Sequence, residues 1–463
     1  MATATIDPRR VQTLNDLEPR GDRRFVLYWM QHTQRAERNE ALGFAVARAN
    51  DFGVPLLVAF GLTEDYPDGS LRHFRFMLEG LVETARAIRR RKIAFVLRSG
   101  SPPDVARDLA GDAVEVVTDR GYLRHHRRWR ADVAESIDVR MTQVECDLIV
   151  PVESASDDRE YAARTIRRQI NEAADDFLVE RRTRSVDRDW SGIDVPSGEP
   201  FDDDPDVDAL LDRMNIDRTV EAVDWIRGGT SAAKSRLKAF VDDDLTGYDD
   251  ARGDVNDPKV SVMSPYLHLG MISPVEVAMA VRDARSRRTD DIDSYLEELL
   301  VRRELTHNFV HYTPDDYDRF ACLPNWAAET LEDHKDDERS HIYTAEQLES
   351  AETDDDVWNA AMIEMKHRGY LHNQLRMYWG KRVIAWTNTP RYAFETLLHL
   401  NNKYFLDGRD ANSYANVAWC FGLHDRAFGE RDVYGKVRYL SRGGLDRKFD
   451  TAAYVRDIRE RYR

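Results

Sequence analysis

Residues 24–31 read Arg24-Phe25-Val26-Leu27-Tyr28-Trp29-Met30-Gln31; after a stretch over 35–52 stopped by Gly53 comes Val54-Pro55-Leu56-Leu57-Val58-Ala59-Phe60-Gly61-Leu62. The two apolar runs have the composition of buried strands, and the residues between them repeat at helical spacing. The alternation continues, with strands over 92–98, 114–118 and 139–150 and helices over 71–91, 103–110 and 122–137. Strands and helices in this order predict a doubly wound parallel sheet, a Rossmann-like α/β domain over 1–184. No G-x-G-x-x-G follows the first strand, so the usual dinucleotide fingerprint is missing.

Beyond this domain, residues 185–208 contain Ser-Gly, Pro196-Ser197-Gly198-Glu199-Pro200 and an Asp run, with no periodicity. A linker over 185–215 is expected. From Val220 onward long amphipathic segments dominate, predicting a larger all-helical domain over 216–463. The 463 residues, 42% hydrophobic and 33% charged, suit a globular chain. No run of 18 apolar residues occurs, so no membrane span is expected. The first ten residues lack the apolar core of a secretory signal, and Cys146, Cys322 and Cys420 lie far apart. No disulfide framework, no metal site and a cytoplasmic setting are expected.

The net charge of −17 argues at first against a nucleic-acid partner. The acid is concentrated, however, at 202–206, 242–244 and 354–356, and arginine far outnumbers lysine, as in proteins of salt-loving organisms. In molar salt the Debye length falls to ~3 Å, so distant acidic patches barely oppose a local basic groove. Charge balance therefore leaves the partner open.

Chemistry concentrates between His372 and Trp419. The segment holds His372-Asn373-Gln374-Leu375-Arg376-Met377-Tyr378-Trp379, Trp386, Leu400-Asn401-Asn402-Lys403-Tyr404 and Asp407-Gly408-Arg409-Asp410. It carries aromatics, bidentate donors and carboxylates but no nucleophilic triad, which suits a flat redox ligand. Trp379 and Trp386 stand seven residues apart, two turns on one helix face and ~10.5 Å along its axis. That spacing permits electron hopping and equally serves core packing. Arg376 and Asp407 are natural ion-pair partners.

Upstream, Ser261–Gly270 places a Ser at a helix N-cap and Pro265 at the first helical position. It is a possible anion site, and equally a plain cap like the capping box expected at Ser273-Pro274-Val275-Glu276. Glu298 and Arg302 are spaced for a surface ion pair, although an acid in a dry pocket could bond a neutral ligand. The run 124–130 reads as the solvated face of a surface helix, with His125 and His126 pointing apart.

In order along the chain, several motifs resemble those of class II cyclobutane pyrimidine dimer photolyases. They are Asn256-Asp257-Pro258, residues 261–270 and 298–304, Trp358-Asn359-Ala360-Ala361, Arg376-Met377-Tyr378-Trp379-Gly380-Lys381, Leu400-Asn401, Asp407–Asp410 and Trp419 with 422–431. Pro151-Val152-Glu153-Ser154-Ala155-Ser156 closes the first domain in the same manner.

The resemblance implies an antenna domain followed by a helical domain that holds FAD in a U-shape. The diphosphate is expected at Ser261, Val262, Met263 and Ser264, near Lys238 and Tyr248. Arg376 and Asp407 would flank the ring system with Asp410 nearby, and Asn401 would face flavin N5, which class I relatives serve from the position of Ser413. Asn373, Glu298 and Arg302 complete the expected cofactor set.

Trp358, Trp379 and Trp386 would form the electron-transfer chain that generates active FADH⁻. Glu298 and Asn256 would bond the lesion's polar edges, with Met377 and Trp419 against its flat faces. The implied reaction is light-driven splitting of the dimer in UV-damaged DNA by a monomeric lyase, the electron returning at the end. A second chromophore, 8-hydroxy-5-deazaflavin or folate, is implied for the antenna domain.

Two departures stand out: Val255 where a basic residue often precedes Asn-Asp-Pro, and Arg302 where some members carry a lesion-contacting Trp. The alternatives are weaker. A (6-4) photolyase needs paired histidines, for which His268 and His372 are the candidates. A cryptochrome-like sensor commonly carries a long tail, and this chain ends soon after Lys448-Phe449-Asp450.

Overall fold

A computed structural model describes residues 6–180, 184–199, 201, 204–284 and 288–462. Met1–Thr5 of the N-terminal stretch, Pro200 of the linker motif, and Asp202 and Asp203 of the acidic run lie outside the described residues.

The first domain is a six-stranded sheet: β1 (Val11–Thr13), β2 (Phe25–Met30), β3 (Leu56–Leu62), β4 (Ala94–Ser99), β5 (Ala113–Asp119) and β6 (Met141–Val144), in the order β1-β6-β5-β2-β3-β4. Strands β2 to β6 are parallel, with Val26 beside Leu56 and Val116 beside Met141. Every residue of β2, β3 and β5 is buried. Strands covered on both faces lack polar alternation, which is why these runs read as continuous apolar blocks. Helices Glu40–Phe52 and Leu71–Arg90 cover one face, and Pro102–Ala110 and Arg124–Ser136 the other. Asn39 starts the first of these, its Oδ1 accepting the Leu42 amide at 2.8 Å, and Gly53 ends it at φ 65°.

Two expectations are corrected here. The sheet is not wholly parallel, because β1 adds to the edge antiparallel to β6; three residues are too few to show a period. The strand expected over 139–150 stops at Val144. Glu145 folds back, its Oε1 accepting the amides of Asp147 at 2.8 Å and Leu148 at 3.2 Å, and this side-chain turn replaces the ladder.

Residues 184–201 contain no helix or strand among those described, yet they are fixed to the sheet domain. Trp190 Nε1 donates to the Leu56 carbonyl at 2.8 Å, the Glu199 amide bonds the Leu97 carbonyl at 2.7 Å, and Phe201 packs on Phe95. A short helix, Val207–Arg213, follows.

The second domain is helical. Its core gathers around helices Asp356–Arg368, Asn373–Trp386, Pro390–Tyr404 and Ala411–Cys420. No helix among the described residues is long and apolar enough to cross a membrane.

Polar groups buried between the domains join them. Arg303 Nη2 donates to Asp147 Oδ1 at 2.5 Å, and His307 Nε2 lies 3.1 Å from Asp147 Oδ2. Arg35 donates to the carbonyls of Gly270 and Cys146 at 3.0 and 2.9 Å. The basic run over 124–130 belongs to this seam and is not a solvated face. Arg124 grips Asp318 at 2.9 and 2.7 Å, and the His125 and His126 rings lie 4.1 Å apart instead of diverging.

Glu304 is the second buried link, accepting the amides of Ile149 at 2.7 Å and Val150 at 3.2 Å. Burial pushes its carboxyl up to about 8 despite those bonds. A raised folded value means that the protonated form favours folding. This contribution is complete below the unfolded pKa near ~4.3 and is lost as pH rises through about 8. Glu304→Gln keeps an acceptor for both amides and removes the titration. Between pH 5 and 8 the wild type should therefore lose on the order of 4 kcal/mol more unfolding free energy than the variant. Denaturant titrations at the two pH values check this, and parallel losses in both proteins would contradict it.

Candidate active site

The main cleft of the helical domain, ≈ 280 Å³, opens beside the turn at 260–264 and lies over the loop at 407–413. Ten of the residues expected at the cofactor line it: Tyr248, Ser261, Val262, Met263, Ser264, Glu298, Asn373, Arg376, Asp407 and Asp410. They arrive from five separate stretches of chain, so only folding assembles the set.

The geometry differs from a capped helix start. The helix is Ser264–His268 with Met263 at its N-cap and no side-chain cap bond, so the expected Ser cap is absent. Val262 takes φ +50°, a left-handed conformation that a β-branched residue adopts only under constraint from its surroundings. Such strain is concentrated at functional sites, and sequence periodicity carries no trace of it. The capping box at Ser273 is likewise unformed; Glu276 instead faces Lys234 at 3.4 Å.

Arg376 Nη2 donates to both oxygens of Asp407, at 3.2 and 3.4 Å, and its guanidinium sits 3.9 Å over the Phe405 ring. Asp410 caps the helix Ala411–Cys420 through the Asn412 amide at 2.8 Å and faces His268 Nδ1 at 3.3 Å. Burial opposes its ionisation, but His268 outweighs burial and holds the carboxyl below the usual range. Asn401 lies behind the wall. Its Nδ2 donates to Ser413 Oγ at 3.1 Å, and Ser413, which lines the cleft, donates to the Asp407 carbonyl at 2.8 Å.

Other expected residues lie apart from the cleft lining. Lys238 is exposed on an ion pair with Asp242. Arg302 is half-exposed and pairs with Glu297 at 3.1 Å, while Glu298 accepts from Arg252 at 2.8 Å. The expected Glu298–Arg302 pair is therefore absent. Residues 297–302 form a π-helical turn, whose wider winding takes residues four apart off a common face.

Asn256 donates to the Asp450 carbonyl at 3.1 Å in an exposed loop. Met377 is half-buried on the helix that carries Arg376. Trp419 is half-buried, with Lys381 5.2 Å and Arg438 5.6 Å from its ring centre.

Trp358, Trp379 and Trp386 are all buried, and Trp358 contacts both of the others. Trp358 stacks on Trp379 at 6.1 Å with 14° between planes, and meets Trp386 edge-on at 5.5 Å. Trp358 Nε1 donates to the Trp379 carbonyl at 2.9 Å. On the cleft side Trp379 touches Phe405 at 6.2 Å; at the other end Trp386 meets the half-buried Tyr343 at 5.4 Å. The order in space is thus Trp379, Trp358, Trp386, with the middle indole supplied by a different helix.

A second, more enclosed cavity lies between the domains at the C-terminal ends of β2 and β3, lined by Gln31, His32, Phe60, Tyr66, Phe74, Trp129 and Arg409 among others. Ligands of open α/β sheets bind at this edge. The first domain's sequence gave no hint of it beyond where its strands end. His268 borders both cavities.

This two-domain architecture recurs in solved photolyases. A bacterial class III photolyase from Agrobacterium tumefaciens matches 94% of this chain and 86% of its own at TM-score 0.71 and 19% identity. An archaeal photolyase from Sulfolobus tokodaii, solved with two FAD molecules, matches 94% and 89% at TM-score 0.67 and 15% identity. Residues 26–186 match the DNA photolyase family model. A deoxyribodipyrimidine photo-lyase of Methanothermobacter thermautotrophicus is 43% identical over 454 residues, covering 98% of this chain and 99% of the relative. The chain belongs to the DNA photolyase family.

Proposed function

We propose that this chain is a light-driven DNA repair lyase that splits cyclobutane pyrimidine dimers, with FAD held in the main cleft. The observation that carries the reading is the Arg376–Asp407 pair in the cleft wall, linked through Phe405 to three contacting indoles. The donor set fits the cofactor: hydroxyls of Ser261 and Ser264 and the strained turn at Val262 for the diphosphate, and Arg376, Asn373 and Asn412 for polar ring edges. Leu267 and Leu299 supply apolar walls.

Reduced FAD would supply a light-triggered electron to the dimer and accept it back, so the reaction is a lyase step without net redox change. Arg376, paired with Asp407, would stabilise negative charge on the ring system. Ser413, backed by Asn401, offers a hydroxyl at the cleft wall, and we assign the N5-facing role to this pair jointly. Asp410 with His268 fixes the loop from below. Glu298 and Asn256 would bond the lesion, with Met377 and Trp419 against its faces. Trp379, Trp358 and Trp386 would relay electrons inward during photoreduction.

The motif order supports the class II subgroup, and the acidic, arginine-rich composition supports a salt-loving source. The second cavity suits an antenna chromophore of the deazaflavin or folate type, a reading supported by the Sulfolobus tokodaii neighbour, which was solved with two FAD molecules. The division into 1–184, 185–215 and 216–463, a monomeric state and a cytoplasmic setting complete the reading.

Chemically reduced protein, illuminated with blue light in the presence of DNA carrying one defined thymine dimer, should restore the two thymines. No restoration would sink the reading.

A further inference from the structure

A third cleft, ≈ 340 Å³, lies between the helix Arg124–Ser136 and the β1–β6 edge, with His311 of the helical domain on its wall. It shares no lining residue with the two cavities described above. Three arginines line it. Arg120 is committed to Glu153, donating at 2.8 and 2.5 Å. Arg127 donates to the His311 carbonyl at 3.2 Å.

Arg130 differs from both. It is 6% exposed, its Nη1 is buried with no hydrogen-bond partner, and among the described residues its guanidinium has no ion pair. Burial and the neighbouring charge of Arg120 push its pKa down to about 10, with the more distant Asp119 carboxylate opposing them, so it is still a cation at neutral pH. A buried charge without a directly bonded counter-charge is costly, and buried charges are ordinarily paired. The rest of the cleft suggests what would pair it. Glu153 is already matched by Arg120, which leaves Glu135 against Arg127 and Arg130. The surplus is positive in a chain whose net charge is −17. Guanidinium forks match the oxygens of phosphate better than any other common anion but carboxylate. Leu14, Ala131 and Ala134 add an apolar wall, and the cleft has room for an organic body beside a phosphate group.

We propose that this cleft binds a phosphate-bearing small molecule, with Arg130 as its buried counter-charge and the half-buried Arg127 as a second donor. The site is separate from dimer repair, since none of its residues lines the main cleft.

Calorimetric titration of the full chain with inorganic pyrophosphate, in a buffer of matched ionic strength, tests it. Saturable binding at one site is expected. Arg130→Gln should weaken it by about 10- to 100-fold, as expected for losing a charged hydrogen-bond donor. Arg127→Gln, at a more open position where folding is less at risk, should weaken it to a smaller degree. Affinity for dimer-containing DNA should be unchanged in both variants. The proposal is overturned by wild-type protein that shows no saturable binding, or by binding that both variants retain in full. It is also overturned if DNA affinity falls in step with pyrophosphate affinity, which would make the cleft a contact for the nucleic-acid backbone.

Discussion

Trp379→Phe should leave the protein unable to photoreduce its flavin while sparing dimer repair once the flavin is reduced chemically. Trp379 is the indole nearest the cleft, touching Phe405 at 6.2 Å, and Trp358 and Trp386 lie beyond it. All three indoles are at most 1% exposed, and among the described residues Trp379 is the one of the three in ring contact with Phe405. Phenylalanine fits the site but is much harder to oxidise than tryptophan. The structural cost is modest. Trp379 Nε1 has no hydrogen-bond partner to lose, and the bond from Trp358 goes to the Trp379 backbone carbonyl, which the variant keeps. The void should cost on the order of 1–3 kcal/mol, small enough to leave the fold intact. Flavin absorbance under blue light with an external reductant reads the first effect, and dimer repair after dithionite reduction reads the second. Normal photoreduction in the variant would show that electrons enter by another route.

Asp147→Ala should be the most destabilising single change in the seam between the domains. The carboxylate is 4% exposed and answers three cationic or protonatable groups: Arg303 at 2.5 Å, His307 at 3.1 Å and His32 at 3.2 Å. Burial opposes its charge, but Arg303 and His32 outweigh burial and hold the carboxyl well below the carboxylate range. A depressed folded value places its stabilising effect above the unfolded pKa of ~3.9, with loss as pH falls further. Removing the carboxylate leaves Arg303 buried without its counter-charge, a change that costs about 3–5 kcal/mol in comparable buried pairs. For a chain of 463 residues, whose unfolding entropy is about 1 kcal/mol/K, that corresponds to a fall in Tm of roughly 3–5 °C. Asp147→Asn, which keeps an acceptor but no charge, should fall between the two. Thermal unfolding at pH 7 and at pH 3 checks both statements: the gap between wild type and Asp147→Ala should narrow in acid. A gap below ~1 kcal/mol at pH 7 would mean that water or rearrangement replaces the carboxylate.

The parts legible from sequence were those whose structure is local. Phe25–Met30 and Leu56–Leu62 are strands because they are apolar throughout, and a strand buried on both faces admits no polar alternation. Trp379 and Trp386 could be placed on one helix face from spacing alone. Trp358 could not be placed between them by the same rule, because its position depends on how two helices pack. The Glu298–Arg302 pairing failed for a related reason: helical spacing assumes regular winding, and a π turn breaks it. Asp147, and Arg303 and Glu304 within the motif over 298–304, have no readable role in sequence, since buried charges acquire meaning only from partners about 155 residues away. The histidines beside Arg124 looked solvent-facing because helical periodicity records amphipathicity, not which outer face meets another domain.

The segment between the two domains has a mechanical consequence. Trp190, Glu199 and Phe201 fasten it to β3 and β4, while Asp147, Arg35 and Glu304 join the domains independently of it. The covalent connection is thus redundant as a tether. The interface sets the distance between the main cleft and the second cavity, so under the proposed function the spacing of two chromophores is a property of the seam and not of linker length.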